Sequence, residues 1–506
     1  MLFKIKSASL LGIESFLVDV EVDISAGIPA FVTVGLPDTS VRESKERVRA
    51  ALKNCGYKFP SRRVTVNLSP AHIRKEGSMF DLPISLGLLA YLDIFPSEKL
   101  NQFLFLGELT LDGKIKPGKG VLSAAVLAKK KRIKGIIVPK ENEKEAALVK
   151  NIDIYGFENI VQVVQFLNSQ DTMEAVKYDV RELFPRLDSE LDFCEIKGQQ
   201  HVKRGLEVAA AGGHNVLLVG PPGAGKTMLA RRLPTILPPM SFEEIIEVTL
   251  IYSASGLLKD QGAVIQRPFR TPHHTISDAG MVGGGIIPKP GEVSLAHRGV
   301  LFLDELPEFK RKVLEDLRQP VEDGNVTVSR ASISINFPSS FMLVAAMNPC
   351  KDVYNSFSSE TYECTDEQRI RYYSKISGPL LDRIDIQIEV PKVKFKEIVS
   401  RNEAECSGEI RKRVYNARKI QIKRYKSSGV LCNALMASRL MEKHCLIDSK
   451  SRELMEMAVD RLGFSARGYT RVLKVARTIA DLDGEEMIRT VHISEAIQYR
   501  MMDKYT

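Results

Sequence analysis

Four residues at a fixed spacing mark the first place where this chain could do chemistry: Gly220, Gly225, Lys226 and Thr227. They form a P-loop pattern after a short apolar run, and the complete stretch is Gly220, Pro221, Pro222, Gly223, Ala224, Gly225, Lys226 and Thr227. Glycines let backbone N–H groups turn toward phosphate oxygens, and the N-terminus of the following helix favours the same negative charge. Lys226 is expected to contact the β- and γ-phosphates, and Thr227 to offer its hydroxyl to Mg²⁺. We therefore expect a nucleoside triphosphate here rather than a mere strand-to-helix turn.

An acidic pair follows a second apolar run. Residues 300–303 are all apolar, and Asp304 and Glu305 come directly after them. A buried strand that ends in two carboxylates is the Walker B arrangement, so Asp304 is expected to hold Mg²⁺ and Glu305 to activate the attacking water. Such a pair is common by itself, but its combination with a P-loop favours the functional interpretation.

Three further polar residues lie at the ends of predicted elements. Asn348 follows the apolar run 341–347, where it either positions the same water or begins a turn before a proline. Arg383 precedes the alternating run 384–390, which predicts a half-buried strand, and a structural salt bridge is its alternative role. Arg467 precedes a helix with an apolar packing face.

Length and composition bound the class of protein. The 506 residues are enough for two to four domains, and the net charge of +9 suits a polyanion such as nucleic acid, although solvated surface cations would give the same total. Seven scattered cysteines argue against a disulfide framework and favour a reducing cytoplasm. No apolar run is long enough to span a membrane, and no signal peptide is recognised.

The pattern along the chain predicts four segments: an α/β domain over 1–168, a linker over 169–191, the nucleotide domain over 192–390 and a helical domain over 391–506. In the first domain, the pattern predicts a helix over 40–52 and a buried helix over 82–92. Its predicted strands are 31–34, 64–68, 135–139 and 153–156.

Several longer motifs point to one family. They occupy residues 273–276, 282–285, 290–297, 465–467 and 476–482. The P-loop, the acidic pair and the strand that ends before Asn348 follow one another in the order found in AAA+ proteins. Together with these motifs, they resemble the magnesium-chelatase-like AAA+ proteins, and among these the ComM/YifB group. The resemblance covers nearly the whole chain.

This resemblance implies an α/β fold with an AAA+ P-loop NTPase core and a C-terminal helical lid. It further implies an ATP-driven ring, expected to be a hexamer, that acts as a DNA helicase in branch migration during recombination of incoming DNA. Asn348 then corresponds to sensor 1, Arg467 to sensor 2, and Arg383 to an arginine finger that serves ATP in the neighbouring subunit. The competing expectation is a remodeller of a protein partner, like the magnesium-chelatase motor subunit, which generally lacks the N-terminal domain.

The resemblance also suggests where DNA would bind. Residues 321–340 are predicted to form a pore hairpin with Arg330 near its turn, and a second insertion, 270–297, has Lys289 and Arg298 as nearby cations. Phosphate contacts of this kind would be independent of base sequence. Arg330 is almost as well explained as an exposed turn cation. His273 and His274 either contact substrate or cap local backbone, and are not expected to bind metal.

The chain departs from its relatives in one place and from a protease in another. Only Cys350 and Cys364 remain of two cysteine pairs found in many relatives, so no zinc is expected. The N-terminal domain resembles the ribosomal S5 domain 2-like fold of Lon protease. No lysine follows Gly120 at the position of Lon's catalytic base, so Ser78 is expected to be structural and proteolysis is not expected.

Overall fold

The computed structural model describes residues 1–169, 173–178, 191–258, 262–285, 288–330, 333–349, 372, 375–393, 405–462 and 464–500. The strands are β1 Leu2–Leu11, β2 Glu14–Ser25, β3 Ala30–Val34, β4 Arg63–Ser69, β5 Phe103–Phe105, β6 Glu108–Leu109, β7 Ile115–Lys116, β8 Gly135–Pro139, β9 Asp153–Phe157, β10 Val216–Val219, β11 Phe269–Arg270, β12 Gly283–Gly284, β13 Lys289–Pro290, β14 Val300–Leu303, β15 Asn325–Arg330, β16 Ile333–Pro338, β17 Met342–Met347 and β18 Ile386–Glu389. The α-helices are α1 Thr39–Arg42, α2 Ser44–Asn54, α3 Asp81–Tyr91, α4 Val121–Lys130, α5 Glu143–Ala146, α6 Ile160–Asn168, α7 Gln200–Gly212, α8 Lys226–Ile236, α9 Phe242–Ser255, α10 Asp278–Val282, α11 Glu292–Leu295, α12 Arg311–Asp316, α13 Arg318–Asp323, α14 Gly378–Leu381, α15 Ser407–Arg424, α16 Ser438–His444, α17 Ser449–Leu462, α18 Ala466–Leu482 and α19 Thr490–Gln498.

Contacts divide the chain into two compact units, Met1–Arg186 with Ser241–Ile265, and Leu187–Met240 with Gln266–Thr506. The first is built on a seven-stranded sheet in the order β3-β4-β2-β1-β5-β8-β9. Strand β2 pairs antiparallel with β1 and with β4, and the remaining pairs in this sheet are parallel. Helix α3 is buried along almost its whole length, because both of its faces are apolar. The predicted strands and the predicted helix over 82–92 are confirmed. The predicted helix over 40–52 is divided at Glu43 into α1 and α2, and the sequence analysis does not predict β1 and β2.

Helix α9 belongs to the first unit, although its sequence lies within the predicted nucleotide domain. It begins at a capping box in which Ser241 and Glu244 each bond to the other's backbone N–H. It packs against α4, and the N–H of Gly120 donates to the carbonyl of Ser253 over 3.2 Å. The segment 192–390, predicted as one nucleotide domain, therefore contains a helix that is buried in the first unit.

The buried Glu145 on α5 gives the first unit a pH-dependent stability. Burial raises the pKa of this carboxyl from 4.5 to about 7, although the Asn142 amide donates to it. The folded unit holds a proton that the unfolded chain has lost, so the free energy of unfolding falls as pH rises from about 4.5 to about 7. We expect Glu145→Gln to remove up to about 3 kcal/mol of this dependence.

Urea unfolding at pH 5 and pH 8 measures this effect, with the exposed Glu141→Gln as the matched control. Wild type and the control are expected to lose stability at pH 8, while Glu145→Gln keeps its midpoint. An equal loss in all three proteins would contradict the assignment.

The second unit is built on a parallel sheet in the order β11-β14-β17-β10-β18. Strands β10, β14 and β17 are buried at every residue, as expected for a parallel sheet covered on both faces. Two separate two-stranded hairpins, β12–β13 and β15–β16, belong to this unit. The predicted strands 300–303, 341–347 and 384–390 are thereby confirmed, with small differences at their ends.

The C-terminal part of the second unit is helical, as predicted. Helices α15 and α18 pack on α7, and α18 presents a continuous buried stripe that includes Val472, Ala476 and Ile479. Within the described residues, no helix combines the length and apolar character that crossing a membrane requires.

Candidate nucleotide-binding site

The glycine-rich turn between β10 and α8 has the conformation that its residue types predict. Gly223 and Gly225 have φ angles of +78° and +87°, which favour glycine. A Cβ atom at Gly220 would lie 2.2 Å from the carbonyl oxygen of Val390, so only glycine permits this approach of two backbones. The turn thus leads directly to the N-terminus of α8, where backbone N–H groups can bind phosphate.

Lys226 and Asn348 come together at the carboxyl ends of neighbouring strands. The ammonium of Lys226 donates to the carbonyls of Gly220 and Pro221 over 2.6 and 3.1 Å, and to Oδ1 of Asn348 over 3.0 Å. Burial lowers the pKa of the Lys226 ammonium, while nearby Asp304 opposes that shift. Because β10 and β17 pair directly, the tip of β17 brings Asn348 beside the P-loop lysine.

Thr227 and Asp304 form the oxygen pair that a magnesium ion would require. The Thr227 hydroxyl donates to Oδ2 of Asp304 over 2.7 Å, and Oδ1 of Asp304 accepts the backbone N–H of Glu305. A hydroxyl and a carboxylate are hard ligands of the kind Mg²⁺ prefers when it also binds phosphate. These residues therefore fit a Mg²⁺–nucleoside triphosphate complex.

Glu305 occupies a strained position beside a histidine. Its φ is +53°, a region that non-glycine residues adopt at a cost of about 1–3 kcal/mol and that often marks functional sites. Its carboxylate is more than half exposed, and Nδ1 of His274 lies 3.5 Å from its Oε2. His274 follows β11, the neighbour of β14, so the sheet topology explains this pairing. The sequence by itself indicates only substrate contact or backbone capping for His274.

We expect His274→Ala to lower kcat for hydrolysis about tenfold without changing KM, because the Glu305 carboxylate would lose the neighbour that holds it in place. A tenfold loss corresponds to about 1.4 kcal/mol in the activation barrier. Steady-state ATP hydrolysis measures this. His273→Ala is the matched control, since Nδ1 of His273 contacts Thr275 instead. Equal effects of the two substitutions would show that His274 does not position Glu305.

Arg383 lies at the amino ends of the strands, whereas the P-loop lies at their carboxyl ends. Strands β10 and β18 are parallel and in register, and the Asn215 side chain, just before β10, donates to the carbonyl of Arg383 over 2.9 Å. Since β10 spans about 13 Å, Arg383 is separated from its own P-loop by the length of that strand. Its guanidinium donates to the carbonyl of Pro379 over 2.6 Å and pairs with Glu322.

Arg467 lies near the same ends of the strands. Its guanidinium is 3.7 Å from the carboxylate of Asp382 and is largely exposed. One turn later on α18, Arg471 pairs with the buried Asp385, which also contacts His214 over 3.0 Å. Burial would raise the pKa of Asp385, but these two partners hold it at about 2. The buried ion pair therefore fixes the start of α18 beside Arg383.

The two hairpins bring two of the three predicted DNA-contacting cations near each other. Arg330, at the tip of β15, is exposed and donates to the carbonyl of Gly285 over 3.3 Å, beside the hairpin that carries the exposed Lys289. A groove of about 530 Å³ beside them is also lined by Lys310, which the motifs did not single out. Arg298 is half-buried, with a φ of +58°, in the turn before β14. Cys350 and Cys364 lie outside the described residues.

The parallel sheet with its P-loop, acidic strand end and helical C-terminal region defines an AAA+ protein, a class that uses ATP and Mg²⁺. Family profiles agree. "Magnesium chelatase, subunit ChlI" matches residues 192–398, "Subunit ChlI of Mg-chelatase" residues 20–142, and "Magnesium chelatase, subunit ChlI C-terminal" residues 404–500.

Individual relatives narrow the assignment. The chain is 45% identical to the competence protein ComM of Haemophilus influenzae, over 98% of this chain and 97% of that protein. It is 42% identical to the uncharacterized protein YifB of Escherichia coli, over 99% and 97%. The magnesium-chelatase 38 kDa subunit of Cereibacter sphaeroides is 22% identical over 60% of this chain and 88% of its own length. The chain therefore belongs to the ComM/YifB family of magnesium-chelatase-like proteins.

Proposed function

We propose that this protein is an ATP-driven DNA motor, a hexameric ring that drives branch migration of recombination intermediates. The observation that carries the proposal is the grouping of exposed cations on two hairpins of the same unit that holds the complete nucleotide site. The similarity to a competence protein supports DNA taken up from outside as the source of these intermediates.

In this proposal, hydrolysis takes place between subunits. Gly220 to Thr227 bind ATP, Thr227 and Asp304 hold Mg²⁺, and Glu305 and Asn348 orient the attacking water. Arg383 lies at the amino ends of the strands with Arg467 near it, away from the P-loop of the same copy, and in this proposal both serve the nucleotide of a neighbouring copy. Release of Arg383 from Glu322 accompanies its engagement with that nucleotide.

Arg330 and Lys289 bind DNA phosphates in this proposal. The neutralisation of one phosphate changes the slope of log binding constant against log salt by about 0.7 for single strands and 0.9 for duplexes. We expect Arg330→Ala and Lys289→Ala each to reduce the slope by about this amount, irrespective of base sequence. Fluorescence anisotropy across a salt series measures it.

A matched control for these variants is Lys412→Ala, which removes an exposed cation that pairs with Glu409 on α15. It is expected to leave the slope unchanged. Slopes for Arg330→Ala and Lys289→Ala that equal the wild-type slope would remove these residues from the DNA interface.

Branch migration on synthetic four-way junctions tests the motor directly. We expect strand exchange with ATP and none with a non-hydrolysable analogue. The competing function, remodelling of a protein partner, draws on the similarity to the magnesium-chelatase subunit. ATPase activity that ignores both single-stranded and branched DNA at low salt, together with a protein captured by Glu305→Gln in the presence of ATP, would favour that alternative.

We further propose that the first unit is a ribosomal S5 domain 2-like fold without protease activity. The contacts of Ser78 and Lys75 support the absence of protease activity. The Ser78 hydroxyl bonds to the carboxylate of Glu108, and the buried Lys75 donates to the carbonyl of Gly35 over 3.2 Å. Neither contact joins the serine to the lysine as a hydroxyl–amine pair would require. A fluorogenic casein assay is expected to detect no cleavage.

A further inference from the structure

Three side chains of types that can bind a metal ion converge in the second unit, and none of them has a role assigned above. They are Asp192, Cys194 and Cys406, and one carboxylate oxygen and the two Sγ atoms all lie within 4.8 Å of one another. Asp192 and Cys194 are half-buried, and Cys406 is exposed. Because the two cysteines are far apart in the sequence, no ligand spacing could have indicated this group.

Backbone contacts hold the three residues in place. Oδ1 of Asp192 accepts the N–H of Cys194 over 2.8 Å and the N–H of Ser407 over 2.9 Å. The N–H of Phe193 donates to the Ser407 hydroxyl over 2.8 Å. Asp192 thus caps both its own short turn and the first turn of α15, which begins directly after Cys406. The cluster is built by the fold rather than by chance side-chain approach.

The donor types favour a thiophilic divalent cation. Bonds of about 2.3 Å to sulfur and 2.0–2.2 Å to oxygen place tetrahedral donors about 3.5–3.8 Å apart, so small side-chain movements would complete the geometry. Thiolates select zinc over magnesium, which prefers oxygen. A disulfide would involve only the two cysteines. The carboxylate of Asp192 beside them therefore favours a metal site over a disulfide.

We propose that Asp192, Cys194 and Cys406 bind one zinc ion, with water as the fourth ligand. The ion joins the first segment of the second unit to the start of α15. It also stabilises α8, since Nε of Arg232 donates to the carbonyl of Asp192 over 2.8 Å. The proposed site stands independently of the proposed motor function. The prediction of no zinc rests on Cys350 and Cys364, whereas this site is formed by a different group of residues.

Metal content of the full-length protein tests the site. After chelation and dialysis, the protein is reconstituted with Zn²⁺ alone, and bound zinc is measured by mass spectrometry. We expect one zinc per chain in the wild type and at least a tenfold weaker affinity in Cys194→Ser/Cys406→Ser and in Asp192→Asn. The asparagine keeps the capping oxygen, so that variant separates metal binding from folding. Cys350→Ser/Cys364→Ser is the matched control and is expected to retain its zinc.

A second readout is the spectrum with Co²⁺ in place of Zn²⁺. Sulfur-to-cobalt charge transfer is expected in the wild type and in the control variant, and is expected to disappear in Cys194→Ser/Cys406→Ser. Three results would overturn the proposal: no stoichiometric zinc in the wild type, zinc lost only with Cys350 and Cys364, or a thiol count that reveals a Cys194–Cys406 disulfide in place of metal. Unfolding midpoints with and without chelator confirm that each variant is folded.

Discussion

Arg383→Ala is expected to lower ATP turnover by about 10³–10⁵-fold while leaving ATP binding unchanged, as removal of an arginine finger does in other NTPases. The physical reason is position. Arg383 lies at the amino ends of the strands, one strand length from Lys226 of the same copy. Removing the Arg383 side chain therefore leaves the phosphate site of that copy intact. Binding of a fluorescent ATP analogue and steady-state hydrolysis separate the two effects.

Mixing two inactive variants provides the decisive control. Lys226→Ala retains Arg383, and Arg383→Ala retains Lys226, so a mixed ring restores complete sites at about a quarter of its subunit boundaries if assembly is random. Activity recovered only on mixing supports action between copies. Glu322→Ala is expected to keep turnover, because it removes only the partner of Arg383 in this structure. If mixing restores nothing and Glu322→Ala is equally inactive, the Arg383–Glu322 pair is merely structural.

The parts of this site that could be predicted from sequence are those that depend on local spacing. The P-loop glycines, the apolar strand before Asp304 and the apolar run before Asn348 each carry their own signal. The structure brings Lys226, Thr227, Asp304 and Asn348 together. Parallel pairing of buried strands explains this success, because polar residues at their carboxyl ends must share one edge of the sheet.

Other features depend on contacts between distant segments. Neither the pairing of His274 with Glu305 nor that of Arg383 with Glu322 follows from spacing, since each depends on which elements become neighbours. The burial of α9 in the first unit is of the same kind, because the apolar residues of a helix show that it packs but not against which element. Arg298 resembles an available cation in the sequence, but the turn before β14 leaves it half-buried.

Glu305→Gln is expected to reduce hydrolysis by about 10²–10⁴-fold, the usual contribution of a positioned general base, and to leave ATP and Mg²⁺ binding intact. The amide keeps the size and the accepting oxygen of the side chain, but it cannot take a proton from water. The Mg²⁺ pair of Thr227 and Asp304 is untouched, since Glu305 contributes only its backbone N–H to Asp304. Asp304→Asn is the matched variant, and it is expected to weaken Mg²⁺-dependent ATP binding as well as turnover.

The comparison of these two carboxylates also tests how ATP is used. If Glu305 acts only after ATP has bound, Glu305→Gln will accumulate an assembled, ATP-loaded state that binds junction DNA but does not move it. Single-turnover hydrolysis and native mass spectrometry with ATP follow this state, and Lys226→Ala, which is expected not to load ATP, provides the baseline. Turnover by Glu305→Gln within a few-fold of wild type would assign the base to another residue. A strained φ of +53° at Glu305 would then have to be explained by the tight turn after β14 alone.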